Sequence, residues 1–119
     1  MNRQTHLIIG GVLFLVYACF AGLFHTASGI LFIFGFVATA AGSLFPDILE
    51  PPTSAHHRGF FHSRRMLKAI TVLFLLTAMP ALFNTGIPRL LLVFSASCFF
   101  LGYAAHLAAD SLTRAGLPK

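Results

Sequence analysis

Tryptophan is absent from this 119-residue chain, and charge is scarce: 9% of the residues are Asp, Glu, Lys or Arg, against about 25% in soluble domains. That shortage excludes an ordinary water-soluble fold. Hydrophobic residues make up 57% of the chain and 14 residues are Phe, more apolar surface than so short a chain could bury in one core. Cysteine is also sparse, and Cys19 and Cys98 both fall inside apolar runs. There a thiol serves as a small packing group, so no disulfide framework is indicated. Internal repeats and low-complexity tracts are lacking. The net charge is +5, yet no aromatic-basic alternation or groove-reading motif accompanies it, so nucleic acid is not an expected partner. In a membrane protein the same charges set orientation and touch the anionic headgroups of membrane lipids, which are expected partners.

What the chain does have is long apolar runs. Residues 7–24 carry no charge and no Pro, and at about 1.5 Å per residue they nearly cover a hydrocarbon core of about 30 Å. A signal peptide is the rival reading, but the run exceeds the usual apolar region of roughly 7 to 15 residues. Further runs follow, and the hydropathy predicts an all-α membrane protein: a single membrane domain over residues 1–119, with four transmembrane helices in an antiparallel bundle. The expected spans lie near residues 6–24, 28–45, 66–83 and 89–112. Gly35, Ala38, Thr39 and Gly42 bring small residues to the second span, and Ala38 and Gly42 fit the small-xxx-small pattern of closely packed membrane helices. Pro46 is expected to stop that span and open a polar loop over residues 46–65 between helices 2 and 3. Arg3, Arg58, Arg64, Arg65, Lys68, Arg114 and Lys119 then share one side of the membrane and Arg89 the other. This charge bias predicts that both termini and the loop are cytoplasmic.

The same topology, built from hydropathy and charge, gathers His6, Asp47, Glu50, His56, His57, His62, His106 and Asp110 at the cytoplasmic end and leaves His25 opposite. Ionisable groups at the ends of apolar segments are costly unless something binds them, and a divalent metal is the expected binder. His106 and Asp110 are four apart, so they share one helix face, with Gly102 and Thr113 continuing the stripe. The bland alternative is an interfacial Asp beside a His bonded to a neighbouring backbone group. His57 and His62 bracket Arg58-Gly59-Phe60-Phe61, a spacing suited to a loop that folds back at Gly59. Asp47 and Glu50 can both reach that loop, as ligand, as base, or as partners of the nearby arginines. Arg58 can orient a phosphate or carboxylate through its planar fork, and Ser63 reads as a loop hydroxyl.

An early His, Pro-Asp at the end of the second span, His57-Arg58-Gly59 with His62-Ser63, and Gly102-Tyr103, His106, Asp110, Thr113 and Gly116 occur in that order over most of the chain. The order resembles that of the YdjM-like inner-membrane proteins, described as LexA-regulated, membrane-bound, metal-dependent hydrolases. Family members commonly show a second Asp two residues after the first, where this chain has Leu49 followed by Glu50; Phe61 replaces a common Thr. The resemblance implies an inner-membrane location and metal-dependent hydrolysis.

The expected site therefore holds one or two divalent ions, zinc foremost, through His6, Asp47, His57, His62, His106 and Asp110. A catalytic zinc uses about three protein ligands, which leaves Asp110 or Glu50 to accept a proton and Arg58 to steady anionic charge. A site at headgroup depth points to a lipid-linked or phosphoester substrate. The alternative is a cation-binding or transport protein without hydrolysis, although the middles of the spans contain little that is polar beyond Thr39, Ser95 and Ser97. A third reading, a structural membrane protein, leaves the polar clusters as headgroup anchors.

Overall fold

A computed structural model of the chain describes residues 2–22, 29–51, 53, 59–83, 87–113 and 116–119, with the backbone alone considered at 87–90. Among the described residues there are four α-helices, α1 (Arg3–Phe20), α2 (Gly29–Leu49), α3 (Arg64–Phe83) and α4 (Ile87–Ser111), and a 3-10 turn at Phe60–His62. All four helices are long and apolar enough to cross a membrane. Asn2 caps α1, its side-chain oxygen accepting the Gln4 amide at 2.6 Å. Ser63 caps α3, its hydroxyl accepting the Met66 amide at 3.1 Å.

Pro46 does not end the second span. Helix α2 runs through it to Leu49, and the Glu50 amide still bonds the Pro46 carbonyl at 2.9 Å. Proline removes one donor from the ladder, whereas abandoning the helix next to hydrocarbon would strand several backbone groups. The polar connection between α2 and α3 is correspondingly shorter than the loop expected from sequence.

Small residues decide which helices approach most closely. A Cβ on Gly42 of α2 would strike the Phe99 carbonyl of α4, and one on Gly102 of α4 would strike the Thr39 carbonyl of α2. The two backbones are thus in direct contact, the geometry that glycine permits between membrane helices. Helix α4 is the centre of the bundle and packs against each of the other three. Phe14, Tyr17, Ala18, Leu31, Phe94 and Cys98 form the core at one level. Ile70, Tyr103, Leu107 and Leu117 form a second core nearer the polar end, where the Arg64 amide bonds the Pro118 carbonyl at 2.9 Å and so ties the chain's end to the start of α3.

Large apolar side chains also point outward, among them Ile8, Val12, Phe20, Phe34, Leu76, Phe83 and Leu92, all more than half exposed. A soluble protein would not tolerate such a coat. For a bundle with principal extents of 45 × 24 × 20 Å it is the lipid-facing surface. Glycine and serine pack inside while Phe and Leu face out, because lipid provides no hydrophobic penalty for exposing them.

Candidate metal centre

Antiparallel packing brings the start of α1, the end of α2, the 3-10 turn and the last turns of α4 to one end of the bundle. His6, Asp47, Glu50, His62, His106 and Asp110 meet there. His6, His62 and His106 are at most 1% exposed. His57 and Arg58, the remaining residues expected at the site, lie outside the described residues, as do His56 and His25.

Each side chain has a local reason for its place. His6, Gly10 and Phe14 recur on the buried face of α1, and Gly10 lets α1 close on α2 because a Cβ there would strike the Ser43 hydroxyl. Asp47 is carried in by the continuation of α2 past Pro46. His62 is the last residue of the 3-10 turn, immediately before the Ser63 cap. That turn is held from two further sides: Tyr103 donates its hydroxyl to the Phe61 carbonyl at 3.3 Å, and Glu50 accepts the amides of Phe61 at 3.0 Å and His62 at 3.2 Å. His106 and Asp110 share one face of α4, as their spacing requires.

Hydrogen bonds set the tautomers of two rings. His62 Nδ1 lies 2.8 Å from Glu50 Oε2 and His106 Nδ1 lies 2.7 Å from the Ser43 carbonyl. An ionised carboxylate and a carbonyl only accept, so both Nδ1 atoms donate and, in the neutral rings, both Nε2 atoms carry lone pairs. Those two Nε2 atoms face each other at 3.3 Å. Asp47 Oδ1 completes a triangle, 3.5 Å from His62 Nε2 and 3.6 Å from His106 Nε2. With both rings neutral and the carboxyl ionised, three acceptors converge with no donor among them. A proton can lie between only two of them, whereas a multivalent cation serves all three. The spacing fits: in a tetrahedral zinc site with bonds of about 2.0–2.1 Å, neighbouring ligand atoms are about 3.3–3.4 Å apart.

A second group adjoins the first. Asp110 places one oxygen 3.4 Å from His6 Nε2 and the other 3.4 Å from His106 Nε2, and the His6 ring stacks on that of His106 with centroids 3.8 Å apart. His6 Nδ1 is buried without a hydrogen-bond partner among the described residues. His6, His106 and Asp110 form one set able to hold a metal, and Asp47, His62 and His106 form another. His106 belongs to both.

Burial pushes the Glu50 carboxyl up, but the bonds from the His62 ring and from the Phe61 and His62 amides outweigh it and hold the group below its ordinary range. Glu50 is thus ionised at neutral pH and faces the rear of the His62 ring. A carboxylate behind a histidine whose other nitrogen faces a candidate ion is the arrangement that orients metal-binding imidazoles. Two contributors escaped sequence reasoning, the Ser43 carbonyl and the Ser63 cap. The nearest signals were Pro46, which frees the carbonyl of Gly42 next to Ser43, and the position of Ser63 three residues before Met66.

No curated protein and no solved structure matches the chain. The family model for the YdjM inner membrane protein matches residues 1–119, the full length of the apolar four-helix chain described above, and the chain therefore belongs to this family of integral inner membrane proteins.

Proposed function

We propose that this protein is a membrane-embedded, metal-dependent hydrolase with a zinc site at its cytoplasmic end, acting on a lipid-linked or other phosphoester. The observation that supports it above others is the convergence of His62 Nε2, His106 Nε2 and Asp47 Oδ1, with both Nδ1 atoms already engaged behind their rings. Asp47, His62 and His106 would hold the ion. His106 Nε2 has one lone pair, so it serves one ion at a time, and a single ion in this set leaves His6 and Asp110 beside it. A bound zinc supplies a Lewis acid and lowers the pKa of a water molecule towards about 7.

The protein's own groups divide the remaining work. Asp110, between His6 and His106, accepts the proton, and the His6 Nε2 atom beside it would share it. Glu50 positions His62 and does not act as the base, since it already takes bonds from the His62 ring and from the Phe61 and His62 amides. Arg58 would steady the developing anionic charge, the role its residue type suits. Cytoplasmic placement of the site and of both termini rests on the excess of Lys and Arg at this end.

The near-complete burial of the imidazoles favours, as a second reading, a bound cation without turnover. Metal analysis of detergent-purified protein and a panel of phosphoesters separate these readings. Near-stoichiometric zinc that is lost in His62→Ala and His106→Ala, with phosphoester cleavage lost in parallel, is the expected result. Zinc without cleavage of any phosphoester would leave the second reading, and a folded protein devoid of bound metal would refute both. A reporter fused after Lys119 should be active only in the cytoplasm.

A further inference from the structure

Most glycines inside these helices have an internal explanation. A Cβ on Gly10, Gly35, Gly42 or Gly102 would strike a neighbour, but one on Gly11 would meet nothing within 4 Å. Glycine is a poor residue for a helix interior, and nothing within the described fold requires it at this position. Gly11 instead lines a groove of about 230 Å³ between α1 and α2, with Leu7, Phe36, Thr39 and Ala40. The groove wall is almost entirely carbon: the Thr39 hydroxyl donates its proton to the Gly35 carbonyl at 2.9 Å.

The groove is aligned with the polar end. On α1, Arg3, Leu7 and Gly11 recur every four residues, and on α2, Phe36, Ala40, Leu44 and Asp47 follow one face. Both stripes lead from the groove to the end that carries the His/Asp cluster. Gly11 is about 12 Å along the helix from Arg3. Arg3 is exposed, while Asp47 directs one oxygen at His62 and His106. By helix register, the apolar slot thus runs towards the end of the bundle that carries Arg3 and a set of groups suited to a multivalent cation.

We propose that the α1–α2 groove holds the hydrocarbon tail of an anionic phospholipid whose phosphate is met by Arg3 at the rim of the His/Asp cluster. The proposal rests on the hydrolase reading for the identity of the substrate class, but the groove itself does not depend on bound metal. The complementarity is specific to such a molecule: the slot accepts hydrocarbon, and the planar fork of arginine matches phosphate. A second copy of the chain fits less well, because a twofold contact about this groove would bring Arg3 towards its own symmetry mate.

The test uses the purified full chain in detergent, titrated with phosphatidic acid and with a diacylglycerol of the same chains. Bound lipid is counted by native mass spectrometry and zinc is measured in the same samples. The wild-type protein should bind one phosphatidic acid with at least tenfold preference over the diacylglycerol. Gly11→Leu and Ala40→Leu, which fill the groove from opposite walls, should each weaken binding at least tenfold and leave zinc unchanged. Arg3→Gln should abolish the preference for phosphate. Equal lipid binding in both groove variants would overturn the proposal, as would a wild-type dimer that Gly11→Leu dissociates. Absence of zinc from a wild-type protein that shows the expected lipid pattern would sink the hydrolase reading and leave the groove assignment standing.

Discussion

Replacing Glu50 by Gln distinguishes a carboxylate that orients a ligand from one that accepts a proton. Glu50 takes the Phe61 amide on Oε1 at 3.0 Å, and the His62 amide and ring Nδ1 on Oε2 at 3.2 and 2.8 Å. A glutamine retains one acceptor oxygen and turns the other position into a donor. Whichever way the amide is placed, at least one part-buried N–H then faces another donor, and the bond to His62 loses its charge. A hydrogen bond to a charged group contributes about 1.5–3 kcal/mol, and about 1.4 kcal/mol is a factor of ten in affinity. Zinc affinity should therefore fall about 10- to 100-fold, the range found when outer partners of metal-bound histidines are removed. The measurement is competition with a chromogenic chelator in detergent, alongside circular dichroism to confirm that the helices persist. Unchanged zinc affinity together with abolished hydrolysis would refute the positioning role and make Glu50 the base.

Gly42→Ala and Gly102→Ala should each lower the unfolding free energy by about 1–3 kcal/mol or more, because the added carbon meets backbone rather than a movable side chain; Gly11→Ala should leave it unchanged or raise it by up to about 1 kcal/mol. Chemical denaturation in mixed micelles reads both. Ser63→Ala removes the cap of α3 and should cost about 1 kcal/mol with zinc still bound, whereas loss of zinc would mean that the cap itself fixes His62. Chelation should lower the melting temperature of the wild-type protein and leave that of His106→Ala unaltered, since a ligand at 100 times its Kd adds about 2.7 kcal/mol to the folded state.

Sequence alone carried the number of apolar helices, the all-helical bundle and the end at which the ionisable residues collect, although α1 ends at Phe20 and α2 at Leu49, not at the expected 24 and 45. Hydropathy is summed residue by residue along each run, and an even number of crossings returns His6, Asp47, His62, His106 and Asp110 to one end without knowledge of a single contact. Such scarce acids and imidazoles were legible as candidates because a membrane chain has so few. The tertiary structure decided how they are used. The tautomer of His106 depends on the Ser43 carbonyl of another helix, and Glu50 lies behind His62 only because the 3-10 turn folds against the end of α2. Pro46 sits within α2 because Glu50 resumes the backbone ladder beyond it, which no local rule for proline foretells. Gly42 sits in a small-xxx-small pair with Ala38 and is pressed against the α4 backbone, whereas Gly11, between Leu7 and Leu15, faces an open groove that no pattern in the sequence signals. Contacts between helices act through space, and their directions are set only when the backbones have found their closest approach.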